Sequence, residues 1–279
     1  VLPEAPEGRG LREQAREVLL IAEPWRKSEA ALELGEAWRA QRLSLDAART
    51  LAPVIAPGRP ERPVLVPPRD LPQRGWGSTE GRAAFLHAIA HIEFNAINLA
   101  LDAMARFAYL PAAYYLDWLG VAEDEARHYR LLVKRLDEMG YAYGDFAAHN
   151  GLWEMAEKTA YACLARMALV PRVLEARGLD VTPAMIERLR GLGDQASADI
   201  LELILSEEVA HVGVGSRWFH WLCSEQGIPP QRSFIGLVRQ HARGALRGPF
   251  NRPARRAAGF DDAELDALEG LAIEGNQRG

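Results

Sequence analysis

From Gly77-Ser78 onward, about 150 residues carry apolar side chains at helical spacing and almost no strand signal. The periodicity predicts helices from about Arg82 to Tyr109, Tyr114 to Met139, Leu152 to Arg177 and Asp194 to Gln226. Pro111, Gly140 and Gly227 mark ends. Gly178-Leu179-Asp180 is expected to interrupt the third helix. Thr182-Pro183 would then cap a short restart that reaches Gly191. Four long amphipathic helices with short turns predict an all-α chain built on a four-helix bundle.

The flanks read differently. Residues 10–42 predict one or two helices, with a break at Pro24. Seven of the 17 prolines lie between Pro53 and Pro72, a density that holds neither helix nor paired strand. That stretch is expected to be an extended strap, serving as a linker or as an arm laid across the domain. Beyond 227, Arg232, Arg239, Arg243, Arg247, Arg252, Arg255 and Arg256 come with no acidic residue among them, before a closing acidic helix. The expected organisation is 1–77 as helices and strap, 78–227 as the bundle, and 228–279 as an extension packed on it.

The 279 residues carry 33 basic and 38 acidic side chains, a net charge of −5 and 48% apolar residues, which excludes global disorder. Cys163 and Cys223 form no Cys-x-x-Cys pair, so a zinc ribbon, a rubredoxin-type site and a thioredoxin motif are excluded. With no continuous apolar run of about 18–20 residues and no signal-like start, the expectation is a soluble cytoplasmic protein without membrane partners.

The informative residues are ionisable groups on apolar faces. Glu125 and His128 share a helical stripe with Trp118, Val121, Ala122, Leu132 and Leu136. Glu208 and His211 share one with Leu201, Ile204, Leu205, Val212 and Phe219. Burying such a carboxylate unpartnered costs several kcal/mol, so something must compensate. Glu-x-x-His alone has little specificity. Its weight here comes from Glu93, 32 residues before Glu125, and Glu175, 33 residues before Glu208, each on an inward stripe. The midpoints of the two pairs fall at residue 109 and between 191 and 192, both at turn signals, as antiparallel hairpins require. Glu157 shares a stripe with Glu175 and is its rival, although the midpoint argument favours Glu175.

Four glutamates and two histidines from four helices form a carboxylate-rich cage of the di-iron or di-manganese kind. Four carboxylates offset two divalent cations, and hard oxygen with imidazole suits iron or manganese. At these residues the chain resembles the ferritin-like superfamily. It is more closely similar to an uncharacterised bacterial family of ferritin-like domain proteins, through GRAAFLHAIAHIEFNAINLALD, DEARHYRLL, GLWE, VPRVLEARGLDVTP, EEVAHVGVGSRWF and LRGPFN. The motif spacing is similar to that of bacterioferritins and of di-iron hydroxylases of ubiquinone precursors and modified tRNA. The resemblance implies Glu93, Glu125, His128, Glu175, Glu208 and His211 as metal ligands, with Glu125 and Glu208 bridging and catalytic. It brings no established reaction.

The expected activity is that of an O2-activating oxidase or hydroxylase, with two metal ions (iron, or manganese, or both) and O2 as co-substrate. The substrate would be a small molecule or modified nucleotide. An external electron donor is required, since no flavin, nicotinamide or iron–sulfur motif is present. The alternatives are a metal-handling protein with ferroxidase or peroxide-scavenging activity, and a metal-free helical scaffold. Long extensions favour a monomer or dimer over a storage cage. Three secondary features have bland explanations. The stripe His87, His91, Asn95, Asn98 and Asp102 reads as solvated or strap-covered, Tyr129 and Tyr161 read as core aromatics near the ligands, and the arginine-rich tail pairs with acidic groups rather than binding phosphates.

Overall fold

The computed structural model describes residues 10–242 and 246–276, with side chains to 273; Arg243 of the arginine-rich segment lies outside them. The chain is all-α. Among the described residues, β pairing is limited to two isolated bridges, Gly10 with Ser44 and Leu65 with Ala148. Two compact units, 1–153 and 154–279, divide it.

The first unit holds α1 (Leu11–Leu19), α2 (Pro24–Arg39), α3 (Thr79–Arg106) and α4 (Ala112–Glu138). The break at Pro24 is a helix start: Glu23 accepts hydrogen bonds from the backbone N–H groups of Trp25 and Arg26, and Pro24 occupies the first helical position. Ser78 caps α3 by accepting from Gly81 N at 3.0 Å, three residues earlier than the apolar pattern implied. The helix stops at Arg106 rather than Tyr109, because Phe107 is extended and Tyr109 has a φ of 62°. Arg12, fully buried, donates to the carbonyls of Met104 (3.0 Å) and Ala105 (2.8 Å), while Tyr114 Oη donates to that of Ala103 (3.2 Å). These groups satisfy carbonyls that the end of a helix leaves orphaned. α3 has the length and hydropathy of a membrane span, but 72% of that window is buried in the protein.

The proline-rich segment is an arm. Gly58 N donates to Leu19 O at 2.9 Å, and Val66 N and Ala148 O pair at 2.8 Å. A methyl carbon on Gly58 would lie 2.2 Å from Leu20 O, so only glycine permits this approach. The polar stripe of α3 is therefore covered and not solvated. Gly144 N donates to His87 Nε2 (2.9 Å), and Arg106 bridges Asp102 (2.8 Å) to Val54 O (2.6 Å). Burial lowers both His87 and His91 to about 4, so the stripe is neutral at these positions.

The second unit contains α6 (Cys163–Leu169), a π-helical turn (Val170–Glu175), α7 (Ala176–Gly191), α8 (Gln195–Glu225), α9 (Pro230–His241), α10 (Arg252–Ala257) and α11 (Asp262–Asn276). The short α5 (Gly151–Lys158) precedes them. Here the structure corrects the sequence reading twice. The expected single helix over 152–177 is broken at 159–162, and the expected break at 178–182 does not occur: α7 runs through with Pro183 inside it. The irregularity lies earlier, at Pro171, whose missing N–H cannot continue the α-helical ladder. A methyl carbon on Gly215 of α8 would lie 2.3 Å from Pro171 Cγ, so α8 makes room there for the proline ring.

Three arginines of the tail, Arg252, Arg255 and Arg256, pair with acidic residues. Arg252 reaches Asp262, Asp266 and Glu269 at 2.9–3.2 Å. Arg255 grips Asp180 through two bonds of 2.9 and 2.7 Å, and Arg256 meets Asp262 at 2.7 Å. Arg172, fully buried, donates to Glu264 Oε2 at 2.6 Å and lies 4.8, 4.2 and 4.4 Å from the ring centroids of Phe219, Phe234 and Phe260.

Candidate metal centre

The antiparallel α3/α4 hairpin places Glu93 opposite the turn of α4 that carries Glu125 and His128. All three are buried. His128 Nδ1 lies 3.3 Å from Glu93 Oε2 and 3.5 Å from Glu125 Oε2, and each residue offers a ligand atom within 4.8 Å of the others'. The pairing follows from local physics. Both helices are long and periodic, and the 107–111 connection is short, so equidistant residues must face each other.

The electrostatics are those of crowded acid groups with an imidazole between them. Burial, followed by repulsion from Glu125, raises the Glu93 carboxyl well above its ordinary range. Burial disfavours charge on His128 too, yet hydrogen bonds to Glu125 and Glu93 outweigh it and raise the imidazole to about 11. The imidazole thus holds its proton at neutral pH among carboxylates of a type that bind hard divalent cations. Aromatic residues adjoin the triad's members in the chain, Phe94 after Glu93 and Tyr129 after His128. Tyr129, next to His128, packs 5.8 Å from Phe94 and edge-on to Tyr143 at 5.3 Å. Burial raises both phenols, which stay protonated.

In the second unit, Glu208 and His211 occupy one face of α8, with Glu208 Oε1 3.4 Å from His211 Nδ1 and the imidazole buried. Glu175 is the last residue of the π-helical turn and is half-buried. Its rival Glu157 is exposed on α5, and the 159–162 break removes the shared helical phase that made it a rival. The same break corrects the placement of Tyr161. It is 66% exposed beside His241 rather than packed in a core.

Three residues escaped the sequence reading. Lys27 is fully buried, donating to Gly58 O at 2.6 Å and to Asn98 Oδ1, with Phe94 4.8 Å away. Its place at helical spacing with the apolar Ala31 and Leu34 was an available signal. Tyr143 donates to His91 Nδ1 at 2.8 Å, and Arg172 anchors the tail; neither stands out by local pattern.

Over residues 20–266 the chain matches the family model described as a protein of unknown function (DUF455). It is 48% identical over 214 residues, 74% of each chain, to an uncharacterized protein of Haemophilus influenzae. No solved structure matches.

Proposed function

Because the chain belongs to the DUF455 family, whose description assigns no reaction, its activity has to be read from the donor atoms, and we propose that it is a ferritin-like di-metal carboxylate oxidase or hydroxylase. The ligands would be Glu93, Glu125 and His128 with Glu175, Glu208 and His211. The observation that carries this reading is the buried first triad, two carboxylates and an imidazole with 3.3 and 3.5 Å contacts.

The donor set fits the metal. Two carboxylates and one imidazole per triad are hard donors suited to iron or manganese, and four carboxylates balance two divalent charges. Burial and repulsion from Glu125 make the Glu93 carboxylate costly to ionise; a cation held by the three would supply the compensating positive charge. Bound iron or manganese would supply the redox chemistry that reduces O2, re-reduced by an external electron donor.

The protein's own part is ligation and exclusion of water. Glu93, Glu125 and His128 are buried, and their chain neighbours Phe94 and Tyr129 are buried and pack 5.8 Å apart, which favours a dry surrounding. In the second unit the π-helical turn sets the backbone from which Glu175 projects. Such turns recur at functional sites because they re-aim a side chain that regular helix would place elsewhere.

The test is metal content, measured by mass spectrometry on protein purified without chelators, beside the Glu125→Ala/Glu208→Ala double variant. About two iron or manganese ions per chain, lost in the variant, would support the reading and open oxygen-consumption screening. Wild-type protein that takes up no transition metal after anaerobic iron loading overturns it.

A further inference from the structure

Within the first unit, α4 has a second chemical face. Its inner side carries Glu125 and His128. Arg127, Arg130 and Lys134 recur at helical spacing on the side turned away, roughly 140–200° round the wheel from Glu125. That outer face borders an open cavity of about 760 Å³, lined also by Trp25 and Leu32 of α2 and by the 141–143 segment. The volume is in the range of small-molecule sites, which combine an apolar lining with few polar groups.

Three cations and one carboxylate, Asp137, line the cavity. Arg127 is engaged by Asp124. Arg130 lies over the Trp25 ring at 4.3 Å from its centroid, and that stacking fixes the guanidinium at the wall. Neither Arg130 nor Lys134 has a carboxylate within ion-pair distance among the described residues. Much of the remaining wall is apolar or aromatic, including Leu131 and Tyr143. The Tyr143 phenol is committed to His91 Nδ1 at 2.8 Å, which anchors its ring in that wall.

We propose that this cavity binds a single-headed amphiphilic organic anion. Its carboxylate or phosphate head would lie against Arg130 and Lys134, and its apolar chain or ring against Trp25, Leu131 and Tyr143. Charge selects the head, since cations without a carboxylate partner at an apolar wall gain most from an anion that brings its own apolar body. This inference does not rest on the metal reading, because every residue in it lies on the opposite face of α4 or on α2 and the 141–143 segment.

The test is calorimetric titration of the full chain with dodecanoate, dodecyl phosphate, dodecanol and inorganic phosphate, each below its micelle concentration and with chelator present. The expected result is saturable binding of one dodecyl anion per chain. Dodecanol and inorganic phosphate should each bind at least about tenfold more weakly, and Arg130→Glu/Lys134→Glu should weaken the anions by about tenfold or more. Should the charge-reversed protein fail to fold by circular dichroism, Arg130→Gln/Lys134→Gln serves instead, with a smaller loss expected. A preference for either dodecyl anion identifies the head group and supports the proposal. Absence of anion binding, dodecanol binding as tightly as the anions, or affinities unchanged in the folded variants would overturn it. Metal content is unaffected by any of these outcomes, so failure here and failure of the di-metal reading are separable.

Discussion

The side-chain amide of Asn251 donates to the carbonyl of Leu179 at 3.0 Å, across 72 residues of chain. Leu179 is four residues before Pro183, so its carbonyl is the one that a proline inside α7 leaves without a helical donor. Arg255 reinforces the same turn by donating to Ala176 O at 3.2 Å and to Asp180. The tail supplies what the proline removes.

Asn251→Ala should therefore cost about 1–2 kcal/mol, the penalty for a poorly solvated carbonyl left unpaired. The cost should shrink in a Pro183→Ala background, where the restored N–H can reach Leu179. Urea denaturation of the four proteins in a double-mutant cycle measures this. Strictly additive effects would show that the two residues are not coupled.

Gly215→Ala tests the close approach of α8 to Pro171. A methyl group 2.3 Å from Pro171 Cγ must displace the π-helical turn or α8 itself. The expected loss is about 1–3 kcal/mol, as for other overpacked positions. Pro171→Ala should relieve most of it in the double variant, and a loss that persists there would place the strain elsewhere.

Glu93→Gln separates folding from metal binding. The folded carboxyl titrates above its ordinary value of 4.5, so its contribution to stability is full below pH 4.5 and is lost as pH rises through the folded value. Glutamine mimics the protonated form and does not titrate. In chelated protein, the variant should gain on wild type as pH rises from 5 to 8, while losing metal in loading assays. Parallel stability profiles in urea melts would remove the electrostatic basis for the triad.

Lys27→Met probes the opposite sign. Burial lowers Lys27 from 10.5 to about 7, so below pH 7 both folded and unfolded chains hold the proton and folding bears the full cost of burying charge. Between 7 and 10.5 only the unfolded chain binds it, and stability rises with pH by at most about 1.4 kcal/mol per unit. Methionine lacks this slope. The stability difference between wild type and variant should climb across that interval in chemical denaturation at fixed ionic strength.

The α3/α4 and α7/α8 hairpins and the turn positions at 107–111 and 192–194 were legible in the sequence. So was the meeting of Glu93 with Glu125 and His128. All of these follow from local periodicity and short connections, which act within one or two helices. The pattern also marked the Pro24 boundary, because a cap and a helix-starting proline are local signals.

Tertiary structure decided whatever depended on a distant partner. Pro183 reads as a helix start until Asn251 satisfies Leu179, and Pro171 becomes the irregular point because Gly215 accommodates its ring. The sequence leaves the α3 polar stripe either solvated or strap-covered until the strap and the 139–150 loop are seen to cover it, and Arg12, Lys27 and Arg172 look like surface charges until they are buried. A helical wheel assigns a face to each residue but says nothing of which backbone carbonyl, aromatic ring or carboxylate from elsewhere in the chain will meet it. Burial of a charge is favourable only through such partners, so the chain's least typical residues were settled by long-range packing.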